Sequence, residues 1–209
     1  MVVEQQADVP SGLLGEWADQ RGDELQVVTP PDVAQWPDPR DAAAVVALGS
    51  DASVHASRDP WVAAQLDYLA GAHHAGVPVF GICFGAQALA TALGGSARRA
   101  AQTEIGWIDV EGDDGYTGRW FTWHEDVFDP PPGATELATA ASGVQAFSVG
   151  ASVGVQFHPE VTTAIVDDWL AGARDAVPDP GPIQRETASL IADARERAFA
   201  LFDRVAGGW

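Results

Sequence analysis

The chain has 209 residues, a formal net charge of −19 and 46% apolar residues, a size and composition that suit one globular domain with a buried core. Because an acidic surface repels phosphates and anionic lipids, neither nucleic acid nor a membrane is an expected partner. The sequence shows no apolar run long enough to cross a bilayer and no secretory signal, so the expected location is the cytoplasm.

Short apolar runs alternate with helical patterns in the first half of the chain, which is typical of strand–helix–strand units and of a mostly parallel sheet. In chain order, the patterns predict strands at 1–3, 25–28, 43–48 and 77–82 and helices at 11–20, 60–75 and 85–93. Ser11 and Asp59 are the expected N-caps of the first two helices.

Short strands with glycine-bearing turns dominate the second half. They are predicted at 105–110, 120–123, 136–139, 144–149 and 152–157, and a helix follows at 161–173. The last helix, 183–205, carries one apolar stripe, which favours packing against the domain over binding a partner. We therefore predict one domain at 1–176, with a linker and a C-terminal helix at 177–209 that pack on the same domain.

An apolar strand joins directly to a helix with Cys83, the single cysteine, at the join. Gly81 and Gly85 flank it at two residues on either side, and glycine permits the sharp, crowded turn on which a nucleophile is exposed. The positive end of the helix favours a thiolate, and the N–H of Phe84 is placed to donate to an oxyanion. A buried cysteine in a tight turn explains this segment about as well.

His158 follows an apolar strand, at the kind of position where α/β sheets build their sites. Glu160, two residues on, is placed to accept the second imidazole N–H, which would fix the tautomer and stabilise the imidazolium. Alone, His-Pro-Glu is an ordinary turn, but together with the Cys83 segment it supplies a base and an orienting carboxylate. The other histidines have no set of ligands with metal spacing, so neither a metal nor a cofactor is expected.

These segments resemble the class I glutamine amidotransferase family. Its motif Gly-x-Cys-x-Gly-x-Gln appears as Gly-Ile-Cys-Phe-Gly-Ala-Gln at 81–87, and its His-Pro-Glu motif lies at 158–160. The resemblance covers about residues 43–173. It implies an α/β, flavodoxin-like three-layer sandwich with a mostly parallel central sheet and a small antiparallel β extension.

Further segments look like those of stand-alone members of the family: Glu-Ile-Gly-Trp at 104–107 and Trp-His-Glu-Asp at 123–126. The resemblance implies that the second one lines the substrate, and Gln87 lies one helical turn after the cysteine on the same side. The expected substrate-binding residues are Gln87, Trp123, His124 and Asp126. A polar strand end explains His124 and Asp126 equally well.

Many family members have Gly-Gly-Pro after the strand that 43–48 matches, whereas this chain has Gly49-Ser50-Asp51. The resemblance implies that an N–H of Gly49 or Ser50 joins that of Phe84 in an oxyanion hole. The Gly-Ser form resembles the γ-glutamyl peptidase-like branch, so both free glutamine and a γ-glutamyl conjugate remain as expected substrates.

The sequence thus predicts a catalytic triad of Cys83, His158 and Glu160 that cleaves a γ-glutamyl amide through a cysteinyl thioester. In one version glutamine yields glutamate and ammonia, which passes to a separate synthase subunit. In the other, a γ-glutamyl peptidase uses water as its acceptor and needs no partner. The remaining alternatives are a catalytically silent scaffold and another flavodoxin-like cysteine hydrolase or chaperone-like protein.

Overall fold

A computed structural model describes residues 1–30 and 35–209, with nine strands and five helices in those ranges. The strands are β1 (Val2–Val3), β2 (Val27–Val28), β3 (Val45–Ala47), β4 (Val79–Ile82), β5 (Ser96–Gly112), β6 (Gly118–Asp129), β7 (Thr135–Ala140), β8 (Gly143–Val149) and β9 (Ser152–Val155). The helices are α1 (Gly12–Arg21), α2 (Pro60–His74), α3 (Phe84–Ala92), α4 (Thr163–Gly172) and α5 (Gly181–Ala206). None of these helices is long and apolar enough to span a bilayer.

The strands form one mixed sheet in the order β2-β1-β3-β4-β9-β8-β7-β5-β6. Neighbouring strands from β2 to β9 are parallel, and those from β9 to β6 are antiparallel. The α/β class is confirmed. The prediction of a mostly parallel sheet with a small antiparallel extension is wrong. The antiparallel half contains as many strand pairs as the parallel half, and it has the longer strands.

Successive side chains of each short parallel strand point to opposite faces of the sheet. Each strand therefore contributes to a hydrophobic core on both faces. Val46, Phe80 and Ile82 pack in a core with α1 and α5. Val45 and Val79 pack in a second core with α2 and α3. Helices therefore cover both faces of the parallel half, which explains why its strands are apolar throughout.

The largest difference from the predicted elements is the β5–β6 hairpin. Its register runs from Ser96 opposite Asp129 to Val110 opposite Gly118, with an irregularity between Arg99 and Glu104. The sequence predicted only 105–110 of β5, because the preceding residues are mostly exposed and polar and show no apolar alternation.

Helix α5 lies against the rest of the chain. Ala198, Leu201 and Phe202 share a core with α1, and the indole N–H of Trp107 on β5 donates to Thr187 Oγ1 over 2.9 Å. The division of the chain at residue 176 stays a prediction.

The two expected helix caps are wrong. Ser11 has helical dihedrals and makes no capping hydrogen bond through its side chain; its N–H donates to the Glu4 carboxylate instead. The carboxylate of Asp59 accepts a hydrogen bond from the Ser57 hydroxyl and likewise does not cap its helix.

Candidate active site

Three adjacent parallel strands end side by side and carry the central residues of the candidate site. Gly49 follows β3, Cys83 follows β4, and His158 follows β9 after a two-residue link. Because the carboxyl ends of parallel strands share one edge of the sheet, residues distant in sequence meet there. The N–H of Cys83 donates to the Val155 carbonyl over 2.8 Å, which ties the end of β4 to β9.

The strand–turn–helix at Cys83 has the geometry that the flanking glycines predicted. Cys83 has φ 52° and ψ −109°, and within the described ranges no other residue except glycine has a positive φ. A Cβ on Gly85 would overlap the carbonyl oxygen of Ala47, and one on Gly81 would lie 2.5 Å from that of Gly85. The turn therefore requires both glycines, and its strain at Cys83 is of the kind found at functional sites.

The sulfur of Cys83 has polar neighbours although the residue is 5% exposed. Sγ lies 3.7 Å from the Trp123 carbonyl oxygen, and the Gln156 side-chain N–H donates to Sγ over 3.6 Å. Cys83 also borders both of the cavities described below. It is thus within reach of a small molecule, which a cysteine sealed in the core would not be.

His158 and Glu160 form a buried pair. Nδ1 of His158 lies 2.7 Å from Oε1 of Glu160, and the two residues are 4% and 0% exposed. The backbone holds both in place, because the N–H of His158 donates to the Phe121 carbonyl and the Glu160 carbonyl accepts from the N–H of Leu13. The carboxylate thereby orients the ring, as the sequence predicted for these residues.

Charge determines the protonation of His158. Burial by itself lowers its pKa, but the charges and hydrogen bonding of Glu160 and Cys83 outweigh this effect and raise the pKa well above the usual 6.5. These neighbours therefore favour the protonated form of the ring. Its Nε2 has no hydrogen-bond partner of ordinary geometry in the part of the chain that the structure describes, so it is available to a reacting group.

The N–H groups expected to form an oxyanion hole lie beside these residues. Phe84 begins α3, and neither its N–H nor those of Gly49 and Ser50 donate a hydrogen bond within residues 1–30 and 35–209. A Cβ on Gly49 would lie 3.1 Å from Cε1 of His158, so this loop passes close to the ring. Gln6 holds the loop, since its Oε1 accepts hydrogen bonds from the Ser50 hydroxyl and the Asp51 N–H.

Two cavities meet at Cys83. The first, here named the hairpin cavity, has a volume of about 310 Å³ and extends along β6. The second, the helix cavity, has a volume of about 230 Å³ and extends toward α4. They share Ser50, Asp51, Cys83 and Trp123. The nucleophile candidate thus separates two spaces, as a group that attacks the middle of a substrate would.

All four expected substrate-binding residues border the hairpin cavity. Trp123 offers its carbonyl to the sulfur of Cys83. Gln87 is engaged internally: its Nε2 donates to the Asp126 carbonyl over 2.9 Å and lies 3.4 Å from Oε1 of Gln156. Gln87 therefore fixes the start of α3 against β6, which leaves its amide nitrogen little freedom to bind a substrate.

His124 and Asp126 are bonded within the protein as well. Nε2 of His124 lies 3.0 Å from Oε2 of Glu104. Asp126 accepts a 2.5 Å hydrogen bond from the Ser53 hydroxyl and lies 3.2 Å from Nε2 of His55. The bonds of Asp126 join the loop after β3 to the hairpin, and the bond of His124 joins the two strands of the hairpin. Both side chains therefore support the cavity wall.

Other residues at the site were not singled out from the sequence. The Trp169 ring lies edge-on to His158 with centroids 5.0 Å apart, and its N–H donates to the Asp8 carbonyl over 2.6 Å. Nothing in the local pattern distinguishes Trp169 from a core residue of α4. Gln156 is different, because its position two residues before His158 is a signal that could have found it.

Within the described ranges, no group of three or more histidine, cysteine, aspartate or glutamate residues could hold a metal ion.

Residues 54–168, more than half of the chain, match the family described as "Glutamine amidotransferase class-I". GMP synthase [glutamine-hydrolyzing] from Aeropyrum pernix is 37% identical over 146 residues, which cover 62% of this chain and 27% of that protein. The same-named protein from Thermus thermophilus is 35% identical over 142 residues, covering 59% and 27%. This chain thus spans about a quarter of the length of these curated relatives.

Two solved structures match nearly the whole chain. The glutamine amido transferase from Methylobacillus flagellatus superposes with a TM-score of 0.92 at 24% identity, covering 100% of this chain and 94% of that one. A glutamine amidotransferase from Thermotoga maritima gives 0.90 at 24% identity, covering 98% and 96%. At this identity the likeness establishes the fold.

Proposed function

Because this chain belongs to the glutamine amidotransferase class-I family, we propose that it hydrolyses a γ-glutamyl amide, with Cys83 as the nucleophile. The observation that carries this proposal is the state of His158. Its Nδ1 is held by Glu160, Cys83 is among the groups that raise its pKa, and its buried Nε2 has no partner of ordinary geometry among the described residues. These are the features of a proton donor poised beside a thiolate.

The first half of the reaction forms a thioester. The Cys83 thiolate adds to the γ-carbonyl carbon, and the carbonyl oxygen becomes an oxyanion that the N–H of Phe84 and an N–H of Gly49 or Ser50 stabilise. Each such donor contributes roughly 10²–10³ in rate. The imidazolium of His158 gives its Nε2 proton to the nitrogen, the C–N bond breaks, and ammonia or an amine leaves.

The second half releases glutamate. The now neutral His158 takes a proton from a water molecule, which adds to the thioester carbonyl. Collapse of this second tetrahedral intermediate expels the Cys83 thiolate and leaves the γ-carboxylate. Throughout both halves Glu160 accepts the Nδ1 hydrogen bond, which keeps Nε2 as the atom that exchanges the proton.

The hairpin cavity suits the α-amino acid end of the substrate. Arg99 and Glu125 both border it and form an ion pair of 2.5 Å there, with side chains 60% and 53% exposed. A glutamyl group carries an α-carboxylate and an α-ammonium, so it offers each of these side chains a partner of opposite charge. The Asp126 carboxylate, already bonded to Ser53, completes this wall.

The fate of the nitrogen is the second part of the proposal. The curated relatives are named as glutamine-hydrolysing GMP synthases, of which this chain spans about a quarter. We infer that glutamine is one substrate and that a separate synthase chain can receive its ammonia.

A glutaminase assay tests the proposal. Purified protein is incubated with glutamine, and glutamate is measured with and without Cys83→Ala. Release of glutamate by the unaltered protein alone supports the proposal. The silent-scaffold alternative is favoured if no γ-glutamyl compound is cleaved and iodoacetamide alkylates Cys83 no faster than free cysteine at pH 7.

A further inference from the structure

Three glutamine side chains are buried near the candidate site. Gln87 on α3 is 3% exposed, and Gln145 on β8 and Gln156 after β9 are both 0% exposed. The N–H of Gln156 donates to the Gln145 carbonyl over 2.8 Å, so the last two are neighbours. Amides are costly to bury unless they are hydrogen-bonded, which makes the partners of each side chain informative. Gln156 is bonded to Sγ of Cys83, and the thioester chemistry proposed above leaves this bond without a role.

A backbone carbonyl determines which way the Gln87 amide points. The Asp126 carbonyl can only accept hydrogen bonds, and it lies 2.9 Å from Nε2 of Gln87. The nitrogen end of Gln87 is therefore turned toward β6. Because this nitrogen carries two hydrogens, the second one is available to Oε1 of Gln156, which lies 3.4 Å away.

The contact with Gln87 determines in turn which way the Gln156 amide points. If the Gln156 amide were reversed, its Nε2 would face Nε2 of Gln87, and two donors would oppose each other. Its oxygen therefore faces Gln87, and its nitrogen faces Sγ of Cys83 over 3.6 Å. The chain of bonds that begins at the Asp126 carbonyl thus presents an N–H donor to the sulfur.

The surroundings of the sulfur make this donor important. Sγ of Cys83 lies 3.7 Å from the Trp123 carbonyl oxygen, which cannot donate and which repels a negative charge. Burial also disfavours an anion. A hydrogen bond to an ionised group is roughly twice as strong as one between neutral groups, and a neutral thiol is only a weak acceptor. The N–H of Gln156 therefore favours the thiolate over the thiol and offsets the carbonyl.

We propose that Gln156 is a catalytic residue that stabilises the Cys83 thiolate through its side-chain N–H, and that Gln87 is a positioning residue that orients the Gln156 amide. This inference rests on the proposed function, which makes Cys83 the nucleophile. It gives Gln87 a role in the free enzyme, before any substrate binds.

The bond between Gln156 and the sulfur should change in strength along the reaction. The sulfur of Cys83 is negative before it attacks, neutral in the thioester and negative again when it is expelled. Gln156 transfers no proton, and it stabilises the first and the last of these states more than the middle one. Loss of the donor should therefore reduce the thiolate in the free enzyme and slow the release of glutamate.

Alkylation measures the first effect directly. Cys83 is the single cysteine, so the pH at which iodoacetamide alkylation reaches half its maximal rate depends on this thiolate alone. In Gln156→Met, which removes the donor, we expect this midpoint to rise by about one pH unit, a tenfold change in the ionisation equilibrium. Gln145→Met is the matched control, because the amide it removes is equally buried and is bonded to Ser142. It should leave the midpoint unchanged.

The pH profile of glutamine hydrolysis provides a second measurement. The profile of kcat/KM depends on ionisations of the free enzyme, so its acidic limb should move up by about one pH unit in Gln156→Met. Gln145→Met should leave the limb in place. A purely structural role of Gln156 would lower kcat/KM at every pH without moving the limb.

A double variant tests the role of Gln87. Gln87→Met frees the Gln156 amide to rotate, so the alkylation midpoint should rise by about half a pH unit. Adding Gln87→Met to Gln156→Met should cause no further rise, because Gln87 acts on the sulfur only through Gln156. If Gln87→Met raises KM for glutamine but leaves the alkylation midpoint unchanged, Gln87 binds substrate and the positioning role is overturned.

The unaltered protein offers a measurement that does not depend on the folding of any variant. In an NMR titration, the side-chain amide signals of Gln156 should shift with the same midpoint as alkylation. The shift should disappear once Cys83 is alkylated, and the amide signals of Gln145 should not follow it.

The results distinguish this inference from the proposed function. An unmoved midpoint in folded Gln156→Met, or a Gln156 amide that does not titrate with Cys83, overturns the inference. Glutamine hydrolysis by the unaltered protein would show in that case that the proposed function still stands. A raised midpoint together with no cleavage of any γ-glutamyl compound would support the hydrogen bond to the thiolate and contradict the proposed function.

Discussion

Two buried histidines near the same cysteine are each bound to a glutamate, and the two pairs differ in their sequence separation and their surroundings. His158 and Glu160 are two residues apart and lie 2.7 Å from each other. His124 and Glu104 are twenty residues apart on the paired strands β6 and β5 and lie 3.0 Å from each other. Each histidine has one ring nitrogen without a partner in the described part of the chain.

Their surroundings separate the two pairs. The Glu160 side chain is 0% exposed and holds one histidine, whereas the Glu104 side chain is 21% exposed and also accepts a hydrogen bond from the Ser142 hydroxyl. Cys83 is among the groups that raise the pKa of His158. A buried histidine bound to a carboxylate is therefore no sign of catalysis by itself, and its placement beside a nucleophile is what indicates the role.

The largest expected difference comes from replacing each histidine in turn. His158→Asn should lower kcat for glutamine hydrolysis by at least about 10³-fold, because it removes the proton donor and base. His124→Asn should change kcat by less than about tenfold and lower the free energy of unfolding by about 1–3 kcal/mol, because it breaks a buried hydrogen bond. Steady-state kinetics and urea unfolding of both variants measure this contrast.

A large loss of kcat in folded His124→Asn would contradict the assignment of His124 to the cavity wall. Glutaminase activity retained by His158→Asn would contradict the proposed mechanism itself.

The carboxylates give the next contrast. Glu160→Gln should reduce kcat by about 10²-fold or more, because an amide does not stabilise the imidazolium and can favour the wrong tautomer. Glu104→Gln keeps a hydrogen-bond acceptor for His124 and should leave kcat within about threefold. Equal losses in the two variants would show that the hairpin pair takes part in the chemistry, so both kcat values are compared at one pH.

The two pairs also differ in how far the sequence predicts them. Cys83 and the segment at 158–160 are recognisable because local chain geometry creates their arrangement: a turn between two glycines and a carboxylate two residues after a histidine. The meeting of the two segments follows from parallel strands ending at one edge.

The hairpin pair depends on tertiary structure. Glu104 meets His124 only through the register of β5 on β6, and the polar first half of β5 gives no strand pattern. The bonds of Asp126 to Ser53 and His55 join segments far apart in the chain. The sequence therefore predicted residues that border the hairpin cavity but not that the side chains of His124 and Asp126 are bonded within its wall.

A smaller effect should come from moving the His158 ring without removing it. Gly49→Ala places a Cβ 3.1 Å from Cε1 of His158, so either the loop or the ring must shift by a few tenths of an ångström. We expect kcat to fall by about tenfold, since small misplacements of catalytic groups are costly. Gly71→Ala on α2, where a Cβ meets nothing within 4 Å, is the control and should match the unaltered protein.

An unchanged kcat in Gly49→Ala would mean that the ring tolerates displacement. Catalysis would then require that the His158 ring lies near the sulfur of Cys83, but not that the ring is held in one exact position.

The smallest expected effect is on the free energy of unfolding. One pair should lose its stabilising contribution at low pH and the other at high pH. Hydrogen bonding by His124, partly opposed by burial, lowers the pKa of Glu104 in the folded protein. This pair therefore stabilises the fold fully at pH values above the usual pKa of glutamate. Its contribution is lost as the pH falls through the lowered pKa. The pKa of His158 is raised, so its stabilisation is complete below about pH 6.5 and is lost as pH rises through the raised pKa.

Urea unfolding from pH 3 to pH 9 separates these contributions. The gap in unfolding free energy between the unaltered protein and Glu104→Gln should close toward pH 3, because the protonated carboxyl no longer favours the fold. The gap for His158→Asn should instead narrow toward pH 9. If the His158 gap widened with rising pH, the ring would be neutral in the folded protein, and the imidazolium–thiolate pair on which the proposed first step depends would not exist.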